Sequence, residues 1–396
     1  MHDPELWRDR FPILDSTTYL VNHSLGAMPE TVYERLRAFA DQWAQRGVRA
    51  WGEGWWTSPI DAGNVLGRIL NAPENSVVMH QNVSVIQALV ASCLDFSGKR
   101  NRVVYTDQEF PSNMYVWEGM RSRGAKIVTV PTEGVEIDLQ RLLEAITEET
   151  LIVPISLVQY KTHYLLDAQA VCKRAKEVGA IVLLDAYQAT GTVPIDVRAL
   201  GVDMVCGGSV KWLCGGPGAA YLYVRPDLLP KFEPRITGWA AHEDPFAFET
   251  GPQRYAHDVR RMLHGTPSVA AFLAATAGYE IVIEAGVEAI RAHSIRMTEL
   301  LRKQLIGAGF PIHSPVDPAR RGSTLTVGLR ADENGPAFVK ALEERGILVD
   351  HRPGAGIRVS PHFYTLEDEL DEFAETLIEL REKRRWQSHV ASTSRY

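Results

Sequence analysis

The sequence has few cysteines, and their spacing matches neither a metal-binding nor a disulfide pattern. Its 396 residues include four cysteines, and no two of them form a Cys-x-x-Cys pair. A disulfide-stabilised secreted domain and a zinc-ribbon protein are therefore both excluded. Cys93, Cys172 and Cys206 are expected to be small buried hydrophobic residues. Cys214 is assigned to packing as well, and no metal site is predicted.

An excess of positive charge and long hydrophobic runs are also lacking. The formal net charge is −7, which argues against a general affinity for nucleic acid or anionic membranes. No apolar run reaches the length needed to cross a bilayer, and the charged N-terminus lacks the apolar core of a signal peptide. We therefore expect a soluble, cytoplasmic protein that binds neither nucleic acid nor membrane.

Alternating apolar and amphipathic stretches predict an α/β fold. Strand-like runs at 126–130, 151–156 and 181–184 alternate with helical patterns near 139–146 and 168–177. This order is typical of a large domain with a mostly parallel sheet sandwiched by helices. From residue 269 the pattern changes to long amphipathic helices and short strands, as in a smaller α+β domain.

The predicted domain division follows from these changes in pattern. The chain is long enough for two domains with separate cores. The assignment is an N-terminal arm at 1–18, a large domain at 19–268, a small C-terminal domain at 269–385 and a flexible tail at 386–396.

The stretch at 181–224 carries the strongest functional signal. One apolar run ends in Asp185, a second leads to Ser209, and Lys211 follows before a glycine-rich turn. Short apolar runs bounded by turn residues are typical of buried parallel strands. Residues at the carboxyl ends of such strands face the ligand-binding crevice of an open α/β sheet. Asp185, Gln188 and Lys211 are therefore predicted to share a cofactor site.

This pattern resembles the class V branch of the fold type I, aspartate-aminotransferase-like enzymes that use pyridoxal phosphate (PLP). The branch includes kynureninases, cysteine desulfurases, selenocysteine lyases and isopenicillin-N-epimerase-like proteins. The resemblance implies that Lys211 forms the Schiff base with PLP, that Asp185 pairs with the pyridinium nitrogen, and that Gln188 hydrogen-bonds the phenolic oxygen. Ser209 is assigned to cofactor binding too. A carboxylate at the ring nitrogen allows the ring to take up electrons, and a desolvated lysine acts as nucleophile and base.

Two further segments resemble parts of the PLP site. The polar turn before the helical run at 86–93 is a potential anion site, because the first amides of a helix are unpaired. By resemblance it holds the PLP phosphate through the Val83 backbone and Ser84, and an N-cap serine without a ligand is the alternative. Phe110 lies in a Phe-Pro-Ser segment like that of kynureninases, where desulfurases carry histidine. It is expected to cover the PLP ring, with a helix-entry contact as the alternative.

Residues 238–243 resemble the Gly-Trp-x-x-His-Glu segment of kynureninases, which assigns Trp239 to the cofactor phosphate and the substrate. Thr266 stands where kynureninases have asparagine and matches the desulfurase-like form, in which the threonine reaches the phosphate of the neighbouring subunit. The resemblance therefore implies a homodimer with shared active sites. Gln188 and Val210 also depart from kynureninases, which carry a histidine and a phosphate-binding tyrosine at these positions.

Two residues are predicted to contact the substrate. Arg358 matches the arginine that holds the α-carboxylate in relatives, and a guanidinium fork fits a carboxylate with two parallel hydrogen bonds. Arg352 is its nearest rival, and a surface salt bridge is the alternative for either. Ser24 lies in a turn similar to the Asn-Ser-Leu-Gly turn of kynureninases and is predicted to face the substrate. A simple helix-entry turn is the alternative there.

The resemblance favours a kynureninase-like hydrolase that cleaves the Cβ–Cγ bond of L-kynurenine, or of a related amino acid, to give anthranilate and L-alanine. The alternatives are β-elimination at a C–S or C–Se bond, as in desulfurases and selenocysteine lyases, and an epimerase-like reaction. No cysteine follows Cys214 to act as a desulfurase nucleophile, which argues against persulfide chemistry. A PLP-binding sensor domain without catalysis is disfavoured, because no DNA-binding extension accompanies it.

Overall fold

The structure is a computed structural model that describes residues 3–392. Its strands are β1 (Thr18–Tyr19), β2 (Val77–His80), β3 (Arg102–Thr106), β4 (Lys126–Val130), β5 (Thr150–Ser156), β6 (Ile181–Asp185), β7 (Met204–Gly208), β8 (Ala220–Val224), β9 (Leu325–Val327), β10 (Ile347–Leu348), β11 (Asp350–Arg352) and β12 (Gly356–Val359). Its helices are α1 (Glu5–Arg8), α2 (Thr31–Arg46), α3 (Ser58–Ile69), α4 (Val83–Ser92), α5 (Pro111–Gly119), α6 (Leu139–Ala145), α7 (Ala168–Val178), α8 (Val197–Leu200), α9 (Val269–Ala285), α10 (Val287–Gly307), α11 (Gly335–Glu343) and α12 (Glu367–Glu382).

The central sheet has seven strands in the order β2-β8-β7-β6-β5-β3-β4. β8 runs antiparallel to both of its neighbours, while the pairs from β7 to β4 are all parallel. The predicted mostly parallel sheet is therefore confirmed. Because parallel strands end at the same edge, Ser156, Asp185 and Gly208 come to lie along one side of the sheet. This edge is where the strand order places a ligand site.

Both faces of the sheet are buried, as in parallel sheets flanked by helices. Successive residues of one strand belong to different hydrophobic clusters, because side chains alternate between the two faces. Leu184 packs in one cluster, and its neighbour Leu183 packs in the other. The strands that carry the site residues are thus held from both sides.

The C-terminal part forms a second core around the three-stranded antiparallel sheet β11-β12-β9. α11, α12 and the second half of α10 contribute to this core, for example through Leu301, Phe338 and Phe373. The N-terminal strand β1 pairs in parallel with β10, and Leu20 is buried in the same core. The start of the chain is therefore attached to the C-terminal core, and Val21, just after β1, forms a parallel bridge with Ser360, which follows β12.

Two elements differ from the predicted division of the chain. α9 falls inside the predicted small domain, but its buried residues Phe272 and Tyr279 pack in the large-domain cluster, against α2 and α3. Trp386 lies in the predicted tail, yet it is buried and stacks on Phe338 at a ring-centroid distance of 5.4 Å. Helical periodicity does not reveal which core a helix packs against, and one aromatic side chain is enough to fix a polar segment to a core.

Within residues 3–392, no single helix is both long and apolar enough to cross a membrane. Only α9 and α10 taken together pass that test of length and composition, and they are bent by 79°. The same residues contain no group of three or more His, Cys, Asp or Glu side chains close enough to hold a metal ion.

Candidate active site

A cavity of about 340 Å³ lies at the carboxyl ends of the central strands, where the small sheet approaches them. It is lined by His23, Ser24, Asn82, Val83, Ser84, Phe110, Ser112, Ser156, Val158, Tyr160, Asp185, Tyr187, Gln188, Val210, Lys211, Arg352 and Arg358. The set includes eight of the predicted site residues. Residues as far apart in the chain as His23 and Arg358 therefore share one cavity.

Asp185 ends β6 and is buried in the wall of the cavity. Its Oδ1 accepts a hydrogen bond from the Tyr187 backbone N–H at 2.9 Å, and its Oδ2 accepts one from Asn113 Nδ2 at 2.5 Å. No salt bridge to this carboxylate occurs in the described part of the chain, and burial raises its pKa. A carboxylate can accept about four hydrogen bonds, so a cationic ring nitrogen fits here and would compensate the buried charge.

Lys211 follows β7 and points its amine into the same cavity. Its Nζ lies 4.4 Å from the centroid of the Tyr187 ring and 5.9 Å from that of Phe110. Burial, and then the positive charge of Arg358, lower the pKa of this amine to about 7. A large neutral fraction is therefore present at neutral pH, and the neutral form is the one that acts as a nucleophile and base.

Gln188 is buried next to Asp185. Its Nε2 donates to the His23 carbonyl at 3.1 Å, and its Oε1 accepts from Trp212 Nε1 at 3.2 Å. These two bonds fix the orientation of the amide, and one of its two N–H groups remains for a ligand in the cavity. The arrangement fits the hydrogen bond to an oxygen on the cofactor ring that the sequence predicts.

The start of α4 also lines the cavity. Asn82 caps the helix by accepting from the Val85 N–H at 3.0 Å, and Val83 and Ser84 line the cavity. The first amides of a helix have no partner within the helix, and the helix dipole is positive there. This part of the cavity is therefore suited to a phosphate group, as predicted for these two residues.

Phe110 caps α5 and leaves 43% of its surface exposed at the cavity. Its ring meets Tyr160 edge to face, with centroids 5.2 Å apart. With Lys211 and Asp185 close by, the ring is placed to cover a flat cofactor. The amine, the buried carboxylate, the helix N-terminus and this ring together fit PLP.

Three predicted cofactor residues do not line this cavity in the single chain. The buried Ser209 hydroxyl is hydrogen-bonded to the Tyr279 hydroxyl. Trp239 is 41% exposed and packs on Trp56 with ring centroids 4.6 Å apart. Thr266 is exposed on a loop. The role of Thr266 was expected to involve a second subunit, and all three assignments stay predictions.

Arg358 lies in β12, is buried, and faces the cavity. Its Nε and Nη2 donate to the two oxygens of Asp350 at 2.8 and 2.5 Å, and its Nη1 donates to the Tyr160 carbonyl at 2.8 Å. Arg352 reaches the same carboxylate at 3.2 Å. Arg358 is thus part of a buried ionic cluster, while Ser24 lines the cavity nearby.

Sequence reasoning missed Asn113, Tyr187 and Asp350. Tyr187 stands between Asp185 and Gln188, and its ring packs on Gly208. A Cβ at Gly208 would lie 2.3 Å from the Tyr187 ring, so this position requires glycine. The Gly207–Gly208 pair was therefore a usable signal for a close approach, in addition to being a turn signal.

The buried carboxyl of Glu109 makes protein stability depend on pH. Its Oε2 accepts from the Ser156 N–H at 2.9 Å and from the Ser156 hydroxyl at 2.5 Å. Burial raises its pKa from 4.5 to about 7. Its contribution to stability is therefore fully present below pH 4.5 and is lost as the pH rises through 7, by about 3 kcal/mol in total.

Glu109→Gln is expected to remove this dependence. Urea unfolding of both proteins measures their free energies of unfolding. Between pH 4.5 and 8, the free energy of unfolding of the variant should rise by about 3 kcal/mol relative to that of the wild type. Subtracting one free energy from the other cancels the contributions of the other titrating groups, which both proteins share. A difference in stability that stays constant with pH would show that Glu109 titrates normally in the folded protein.

Comparison with known proteins finds relatives along most of the chain. The sequence profile of the family described as aminotransferase class-V matches residues 18–373. An uncharacterized aminotransferase of Bacillus subtilis, YcbU, is 29% identical over 373 residues, which cover 93% of this chain and 96% of that protein. The kynureninase of Pseudomonas fluorescens is 28% identical over 399 residues, which cover 96% and 92%.

Solved structures show the same fold. The apo cysteine desulfurase of Thermococcus onnurineus superposes with a TM-score of 0.86 at 20% identity, covering 97% of this chain and 99% of that one. The cystine C–S lyase C-DES, in complex with cysteine persulfide, gives a TM-score of 0.85 at 20% identity and covers 93% and 99%. These likenesses confirm the predicted fold.

Proposed function

This chain belongs to the class-V aminotransferase family, and on that premise we propose that it is a PLP-dependent hydrolase of L-kynurenine or a related amino acid. PLP is its cofactor. Lys211, Asp185, Gln188, the start of α4 and Phe110 would hold it in the cavity. When bound, PLP supplies an electron sink for the electron pair left on the substrate when a bond at its α-carbon breaks.

The residues of the cavity bind the substrate, transfer protons and exclude water. The guanidinium of Arg358 binds the substrate α-carboxylate. The Lys211 amine, whose pKa is lowered to about 7, removes the α-proton as a base. Asp185, which is buried and forms no salt bridge in the described residues, holds a proton on the ring nitrogen of the cofactor. Phe110 keeps water away from one face of the reacting centre.

Cleavage of the Cβ–Cγ bond then balances with one molecule of water. The water oxygen adds to the γ-carbonyl carbon, the Cβ–Cγ bond breaks, and its electron pair remains on Cβ. The γ-carbon leaves as the carboxylate of anthranilate, Cβ takes up a proton to become the methyl group, and the α-carbon regains a proton in place of the one that Lys211 removed, which gives L-alanine. The site thus needs room for an aromatic leaving group.

The observation that carries the kynurenine proposal is the aromatic wall of the cavity. Phe110, Tyr160 and Tyr187 line it beside Lys211, where the aniline ring of kynurenine would lie against them. Kynureninases of Pseudomonas fluorescens and Burkholderia mallei match 96% and 98% of the chain at 28% and 25% identity, which supports the same proposal.

Persulfide chemistry is disfavoured by the state of the cysteines. Burial raises the thiol pKa of Cys93, Cys172 and Cys214 to about 12 and that of Cys206 well above its usual value. None of the four lines the cavity. A thiolate nucleophile is therefore lacking in the described part of the chain, which contains all four cysteines.

A C–S lyase reaction by simple β-elimination is the second proposal, because Gln188 and Thr266 resemble desulfurases more than kynureninases. It needs no cysteine nucleophile. Parallel assays with L-kynurenine and L-cystine distinguish the two reactions. Anthranilate from the first supports hydrolysis of kynurenine, while pyruvate from the second, with no anthranilate, supports β-elimination.

We also propose a homodimer. Several large hydrophobic side chains are exposed in the single chain, including Met28, Tyr33, Trp239 and Phe248, and exposed hydrophobic residues favour an interface. Thr266 and Trp239 would then reach the partner's cofactor. A solution mass of one chain at full activity would contradict this arrangement.

A further inference from the structure

Asp350 joins three parts of the chain at the edge of the cavity. It opens β11 and stands directly opposite Arg358 in the antiparallel ladder with β12. Arg352 shares its face of the strand, because residues two apart point to the same side. His23, from the turn after β1, completes the cluster with its Nε2 2.9 Å from Asp350 Oδ1. One carboxylate thus contacts three basic side chains.

The charges of this cluster leave one positive charge unmatched. Burial lowers the pKa of His23 to about 4, so its ring is neutral at pH 7 and donates Nε2–H to Asp350, while Nδ1 lies 2.7 Å from the Ser360 hydroxyl. Asp350 then neutralises one of the two arginines. The other positive charge is available for one carboxylate of a ligand.

The hydrogen bonds of Arg358 show how that charge is presented. A guanidinium has five N–H donors, and Arg358 uses three of them, two with Asp350 and one with the Tyr160 carbonyl. One donor remains on each terminal nitrogen, the number that a bidentate carboxylate accepts. The bond from Nε to Asp350 fixes the plane of the group. An arginine whose guanidinium could rotate freely would lack this preorganisation.

We propose that Asp350 is a positioning residue that orients the guanidinium of Arg358 to bind the substrate α-carboxylate. His23 and Arg352 hold Asp350 in place from the other sides. This inference rests on the proposed function only in requiring an amino-acid substrate, whatever bond is later cleaved. A purely structural ion pair would affect stability without affecting the recognition of a carboxylate.

The test compares two ligands that differ only at the carboxyl group. L-Alanine and its neutral carboxamide, L-alaninamide, are titrated into PLP-loaded wild type and Asp350→Asn while the absorbance of the cofactor is followed. The variant is expected to bind L-alanine on the order of 10- to 100-fold more weakly and L-alaninamide within about twofold of wild type. Asp332→Asn, at an exposed position of the small domain, serves as the control and should match wild type with both ligands.

Three results would overturn the proposal. Equal weakening for both ligands would assign Asp350 a structural role, and no change would assign it none. Tighter binding of L-alanine would show that Asp350 competes with the substrate for Arg358. Should Asp350→Asn fail to fold, Asp350→Glu keeps the charge but moves it by one methylene, and the same selective loss for L-alanine is expected. Because no bond cleavage is measured, failure to hydrolyse kynurenine does not affect this test.

Discussion

Lys211→Ala is expected to abolish turnover while leaving the fold intact. Lys211 is the only lysine among the residues that line the cavity, so the chain offers no substitute amine there. General base catalysis contributes about 10²- to 10⁴-fold, and the covalent link to the cofactor is lost together with it. We expect a fall in kcat of at least about 10⁴-fold for any amino-acid substrate.

Two further measurements separate this loss from unfolding. The lowered pKa of Lys211 means that the folded state disfavours its charged form, so its removal should not lower the melting temperature of the cofactor-free protein at neutral pH. Borohydride should no longer attach the cofactor to the chain. Lys173→Ala, on the exposed face of α7, is the matched control. Attachment that persists in Lys211→Ala would assign the role to another lysine.

Asp185→Asn is expected to lower kcat on the order of 10³-fold. Asparagine keeps the shape and can still accept from the Tyr187 N–H, but it carries no charge to hold a proton on the ring nitrogen. Preorganised charges at a reacting centre contribute effects of about this size. Because burial raises the pKa of Asp185, its replacement by a neutral residue should change stability little.

Asp185→Glu is the conservative partner of this variant. It keeps the charge and should retain more activity than Asp185→Asn, although the longer side chain disturbs the hydrogen bond from Asn113. Steady-state kinetics with the cofactor at saturation measures both variants. Activity of Asp185→Asn within tenfold of wild type would remove Asp185 from the chemistry.

The residues at the ends of the parallel strands could be predicted from the sequence. Asp185 and Lys211 follow apolar runs, and the geometry of a parallel sheet brings such positions to one edge without further information. The start of α4 was predictable for a similar reason, because its function depends on the local backbone. These patterns are local in the sequence, and the parallel arrangement of the sheet determines where the residues that follow each strand lie in space.

The contacts of Asp350 could not be predicted in the same way. They depend on the register between β11 and β12 and on the parallel pairing of β1 with β10, the strand just before β11, which brings His23 close to Asp350. Neither pairing can be recognised from the hydrophobic periodicity of the sequence. The position of α9 was missed for a related reason, because the two helices that it packs against, α2 and α3, lie about 200 residues or more earlier in the chain.

Hydrolysis of L-kynurenine is tested by mixing it with the PLP-loaded protein. Anthranilate is followed by its fluorescence, and L-alanine is quantified at the end point, with Lys211→Ala as the inactive control. We expect equal amounts of anthranilate and L-alanine from the wild type and neither from the variant. Absence of anthranilate, while L-alanine still changes the absorbance of the bound cofactor, would contradict the proposed hydrolysis and leave the cofactor site in place.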